Sequence, residues 1–117
     1  MSAVERLDRR IVARVADVRD PDGLAAALDE GVGELGGLDT VVANAGIASY
    51  GMSVDLTEQM WPDMLDVNLT GVWHTAKAAV PHLRARGAGS MVFTSSIGGL
   101  KGIMQVAHYV SAKPVRT

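Results

Sequence analysis

The chain has 117 residues, a net charge of −2, 48% hydrophobic but only 4% aromatic residues, and no cysteine. That length holds one domain, the balanced charge argues against a nucleic-acid partner, and the missing thiols exclude disulfides and thiolate catalysis. No apolar run reaches the roughly 20 residues that span a bilayer, and the charged start MSAVERLDRR has no apolar leader core, so a cytoplasmic protein without a membrane partner is expected.

Arg10 to Ala16 (RIVARVA) is short and β-branched and reads as a buried strand. Pro21 to Leu35 reads as a helix, because Leu24, Ala27, Leu28, Val32 and Leu35 recur at intervals of three and four. Asp20 supplies its cap and Pro21 its first position; Gly36-Gly37 supplies its stop. Leu38 to Ala43 is the second predicted strand. A long helix is predicted from Thr57, as cap, to Arg86, with Gly87 at its end. Pro62 removes a donor in its first turns and predicts a kink or a later start near Trp61. Ser90 to Thr94 is the third strand. Strands and helices alternating with short joints predict an α/β fold with a parallel sheet covered by helices.

Gly31-Val32-Gly33-Glu34-Leu35-Gly36 spells G-x-G-x-x-G. A phosphate-binding glycine loop must follow a strand and open a helix, where free N–H groups meet the anion. Here the order is reversed, so a phosphate would face the carbonyl end of a helix. The stretch is read as a glycine-softened helix end. His74, His82 and His108 are dispersed and form no ligand pair. They are read as surface or packing residues, with no metal site. Asn68-Leu69-Thr70 matches the glycosylation sequon, which means nothing without secretion.

The residues that carry chemistry are Asn44-Ala45-Gly46 after the second strand, Asn68 in the long helix, Ser95-Ser96 ending the third strand, and Tyr109 with Lys113 in Y-V-S-A-K. Singly, each has an ordinary explanation. Tyr and Lys four apart share a helix face, Ser-Ser before Gly98-Gly99 makes a turn, and a helical Asn can be a satisfied buried group. Jointly they are specific, because strand C-termini in a parallel sheet point at the ligand crevice. The arrangement resembles the short-chain dehydrogenase/reductase family, in which Y-x-x-x-K lies thirteen residues beyond a Ser at a strand end. That spacing selects Ser96 over Ser95. The segments VANAGIASYG and SSIGGLKG are similar to members related to carveol dehydrogenases, some tied to mycofactocin.

The resemblance implies a partial Rossmann-like, doubly wound parallel sheet, holding strands three to five of the family fold in one incomplete NAD(P)-binding domain over residues 1–117. It implies an oxidoreductase that moves a hydride between NAD or NADP and an alcohol or carbonyl. Asn68, Ser96, Tyr109 and Lys113 would be catalytic. Asp17, Val18, Asn44, Ala45, Gly46, Tyr109 and Lys113 would hold the cofactor, with Asp17-Val18 at the adenine. The chemistry of the groups agrees. A phenol titrates near 10, and a Lys cation within about 4–6 Å lowers it by about 1–3 units, toward the range of a general acid–base. Ser96 would hydrogen-bond the carbonyl oxygen where charge develops. Asn68 would hold a helix kink and a relay water.

Family members open with a strand and T-G-x-x-x-G-x-G, and nothing of that kind precedes Ile11. The resemblance therefore implies truncation at both ends. In the family's strand order, Arg10–Ala16 would stand three spacings of about 4.8 Å from Leu38–Ala43. It is left either to dock directly on Leu38–Ala43, which keeps a right-handed crossover, or to lie loose. Pro114 disfavours helical geometry at Lys113, which puts the Tyr109–Lys113 register at risk. Expected partners are a small alcohol or carbonyl substrate and either a homo-oligomer or a full-length relative. A non-catalytic chain bound to such a relative, or a functionless fragment, are the alternatives to an enzyme.

Overall fold

The computed structural model describes residues 3–101 and 104–112. A 3-10 turn at Glu5–Leu7 precedes α1 (Pro21–Leu35), β1 (Thr40–Ala43) and α2 (Met60–Leu65). A π-helical turn at Asp66–Thr70 joins α2 to α3 (Gly71–Arg86), and β2 (Ser90–Phe93), a 3-10 turn at Ile97–Gly99 and α4 (Ala107–Ala112) follow. The protein is α/β, with β1 and β2 paired in parallel from Thr40↔Ser90 to Ala43↔Phe93.

Local chemistry sets α1. The Asp20 carboxylate accepts from the Gly23 N–H, Pro21 occupies the first turn, and Gly36 closes the helix at φ 94° with its N–H on Val32 O. Gly31 and Gly33 lie inside α1, so the G-x-G-x-x-G stretch sits at a helix C-terminus. The long helix starts at Met60 rather than Thr57, while Thr57 Oγ1 accepts from the Met60 N–H at 3.1 Å. The later start places Pro62 in the first turn, where its missing donor costs nothing. Gly87 ends α3 at φ 93°. Pro81 inside α3 is exposed and removes one helical donor.

The core lies between the sheet and the two long helices. Val41, Ala79 and Leu83 are buried together, with Leu28, Leu38 and Met91 packed against them. His82 Nε2 lies 2.6 Å from Asp29 Oδ1 and ties α3 to α1. Val42 and its register partner Val92 are exposed on one face of the sheet, and Phe93 is exposed at the end of β2. No helix among the described residues is long and apolar enough to cross a membrane.

The expected strand at Arg10–Ala16 does not form; among the described residues the sheet contains β1 and β2 only. β-Branched sequence favours a pleated surface but supplies no hydrogen-bonding neighbour, and the segment does not pair with β1. It is held to α1 instead. Arg10 donates to the Glu34 and Leu35 carbonyls, and Arg14 pairs with Glu30 at 2.6 Å and Glu34 at 3.1 Å. Ile11 and Val15 are exposed. Amide exchange is therefore expected to show weak protection across residues 11–15 against strong protection in β1, because exposed and unpaired backbone opens at little cost. Protection equal to that of β1 would show a sheet partner there.

Candidate active site

The C-terminal ends of β1 and β2 lie side by side. The Thr94 N–H donates to Ala43 O at 3.1 Å, and Thr94 Oγ1 donates to Asn44 Oδ1 at 2.8 Å. Asn44 therefore bridges the two strand ends. From there the chain runs through exposed Ala45 and Gly46 to Ile47, where Asn68 takes hold. Asn68 Oδ1 accepts the Ile47 N–H, and Asn68 Nδ2 donates to Ile47 O, both at 2.8 Å. A further contact joins Nδ2 to Met64 Sδ at 2.7 Å. Asn68 is fully buried, and both amide hydrogens have partners. It acts on the site by fixing the Ile47 backbone.

The π turn carries Asn68. Its register is shown by the Gly71 N–H, which reaches back five residues to Asp66 O. Such turns cluster at functional sites because they re-aim the side chains they contain. Gly71 follows at once, and its lack of a side chain is required. A Cβ there would lie 2.6 Å from Val18 Cγ2. Val18 thus rests directly on the helix, and Val18 O lies 2.6 Å from His74 Nδ1.

This docking brings Asp17 and Val18 opposite Ala45 and Gly46. The four residues line one cleft of about 630 Å³ together with Arg19 and Asp63. Arg19 Nη2 meets Asp17 Oδ2 at 2.7 Å, and Arg19 Nη1 lies 3.7 Å from Asp63 Oδ1. Hydrogen bonds from the Arg19 side chain, and then from its backbone N–H, hold the Asp17 carboxyl at about 2. Asp17 is thus an acceptor at any ordinary pH. Replacing Gly71 by Ala is expected to push Val18 away, to cost about 1–3 kcal/mol by overpacking, and to open or collapse the cleft. Chemical denaturation of the two proteins measures the first effect. Equal stability would show that the Val18 segment yields freely.

Ser96 and Tyr109 do not line that cleft. Ser96 Oγ accepts from the Gly98 N–H at 3.2 Å, and Ser96 O accepts from the Gly99 N–H at 2.9 Å. The Ser96 hydroxyl hydrogen has no acceptor among the described residues. Tyr109 is half-buried on α4, which packs against the Ile97–Gly99 turn and against α2. The structure therefore brings the Tyr109 helix to the turn that Ser96 caps. Lys113 lies outside the described residues, as does Pro114.

The comparisons with known proteins agree with this geometry. Residues 1–115 match the sequence profile of the short chain dehydrogenase family. The chain belongs to that family. It is similar to (-)-trans-carveol dehydrogenase of Rhodococcus erythropolis, at 55% identity over 113 residues, which cover 94% of this chain and 40% of the relative. It is also similar to the crystal structure of carveol dehydrogenase from Mycobacterium avium in complex with NAD, with a TM-score of 0.90, 49% identity, and coverage of 94% and 40%. A short chain dehydrogenase from Mycobacterium paratuberculosis bound to NAD gives a TM-score of 0.92 at 41% identity, covering 95% of this chain and 41% of that one. The chain spans about two-fifths of the length of these relatives.

Within this short-chain dehydrogenase chain, three side chains at the site escaped the sequence reading. Arg19 and Asp63 complete the cleft. Ser49 bonds His108, which was read as a surface or packing residue. The adjacency of His108 to Tyr109 was the one signal available for it.

Proposed function

We propose that this chain carries the substrate-facing part of an oxidoreductase that moves a hydride between a nicotinamide cofactor and an alcohol or carbonyl. The observation that supports the reading most is the cleft that gathers Asp17, Val18, Ala45 and Gly46 from two distant segments. Its volume falls within the roughly 300–1,000 Å³ of small-molecule sites, and its Asp17 carboxylate, paired with Arg19, would accept from an adenine amine. Asn44, Ala45 and Gly46 would hold the cofactor through their exposed backbone, with Asn68 keeping that backbone in place. When bound, NAD or NADP supplies or takes the hydride. Ser96 donates its free hydroxyl hydrogen to the substrate oxygen. Tyr109 gives or takes the proton at the same oxygen, and Lys113 would help to hold the cofactor. The carveol dehydrogenases among the relatives nominate a carveol-like alcohol as substrate.

Titrating the purified chain with NADH and NADPH, while following nicotinamide fluorescence, tests this. Micromolar binding, followed by NADH formation from carveol and NAD, is expected. A second reading, a non-catalytic chain that associates with a full-length relative, is favoured by Val42 and Val92, exposed side by side on one face of the sheet. No nucleotide binding beside a stable heteromer on size exclusion would decide for it.

A further inference from the structure

Two segments far apart in sequence meet beside Tyr109. Ser49 Oγ lies 2.7 Å from His108 Nε2, and the Gly51 N–H donates to Gln105 O at 2.8 Å. Gly51 and Val106 also form a parallel bridge. His108 is fully buried, and its Nδ1 has no hydrogen-bond partner among the described residues. A buried bare lone pair costs less than a buried orphan N–H. This assigns the ring proton to Nε2, which donates to Ser49 Oγ, and leaves His108 neutral. Burial pushes its pKa below the ordinary histidine value, in the same direction.

The loop at Ser49–Gly51 is continuous with Asn44–Ile47, whose backbone Asn68 already fixes. His108 precedes Tyr109 on α4, which is described over Ala107–Ala112. We propose that Ser49 and His108 are positioning residues: their part-buried hydrogen bond locks the Tyr109 helix to the loop that continues from the cofactor cleft. The catalytic consequence rests on the oxidoreductase reading; the lock itself does not.

Ser49→Ala, His108→Ala and His108→Gln in the full chain test the lock, since Gln can place its amide donor near Nε2. Hydrogen exchange is expected to quicken about fivefold for the two alanine variants at residues 47–51 and 107–112, with α1 and α3 unchanged and His108→Gln near wild type. In turnover, kcat is expected to fall ten- to a hundredfold, roughly the cost of about 1 Å of misplacement, while NADH affinity holds and His108→Gln rescues. Exchange that is unchanged, or quickened equally in α1 and α3, overturns the proposal, as does a wild-type kcat in His108→Ala. Localised exchange in a chain that binds no NADH supports the lock and removes the oxidoreductase reading.

Discussion

Tyr109→Phe is expected to abolish turnover while leaving cofactor binding nearly unchanged. The substitution removes one oxygen and keeps the ring, so the packing of α4 against α2 and the Ser96 turn survives. On the proposed reading, what is lost is the proton carried to and from the substrate oxygen. General acid–base catalysis contributes about 10²- to 10⁴-fold, and kcat is expected to fall by that amount. The affinity for NADH is expected to stay within about twofold, because the hydroxyl acts at the transition state rather than in uniform binding. Paired steady-state kinetics and fluorescence titration check both halves. A variant with wild-type kcat would remove Tyr109 from the chemistry.

Asn68→Ala is expected to be the most destabilising single change at the site. It strands the N–H and C=O of Ile47 and leaves a vacancy beside Met64. Lost hydrogen bonds at about 1 kcal/mol each, plus the unmet groups, amount to about 2–4 kcal/mol, read as a shift in the urea midpoint at constant slope. Asn68→Asp gives the sign of the electrostatics. Its carboxylate keeps the acceptor but loses the donor to Ile47 O and buries a charge, which raises its folded pKa above the unfolded value. The penalty is therefore present above the folded pKa and shrinks as pH falls through it, where the protonated acid donates again. An Asn68→Asp protein whose stability falls steadily on acidification would contradict this. The Ile47 tether also predicts that either variant loosens Ala45 and Gly46, so nucleotide binding weakens with stability.

Much of the site was legible because its residues follow local rules. Asn44 and Ser96 stand at strand ends, and the parallel pairing of β1 with β2 brings those ends together as the alternating pattern implied. The role of Asn68 was not legible. Its two bonds go to a residue twenty-one positions away, and nothing in the composition of the helix says that a π turn will aim it there. Pro62 was legible as a disturbance, and the structure resolves it as a late helix start. His108 looked like packing, and it is buried. Its bond to Ser49 spans fifty-nine positions and required the fold.

The same division runs through the whole chain. Both limits of α1, the C-terminal ends of β1 and α3 and the start of β2 were determined by the sequence itself, the helix limits because capping, proline and glycine act over a single turn of chain; β2 ends one residue short of the expected Thr94. The family, too, followed from residue types and spacing alone. Whether Arg10–Ala16 became a strand was decided only by tertiary structure, because a strand exists through its neighbour and β-branched residues cannot provide one. The cleft between Asp17-Val18 and Ala45-Gly46 was decided the same way. It exists because Gly71 leaves room for Val18 and because Asn68 holds Ile47, and both are contacts between residues that meet only in space.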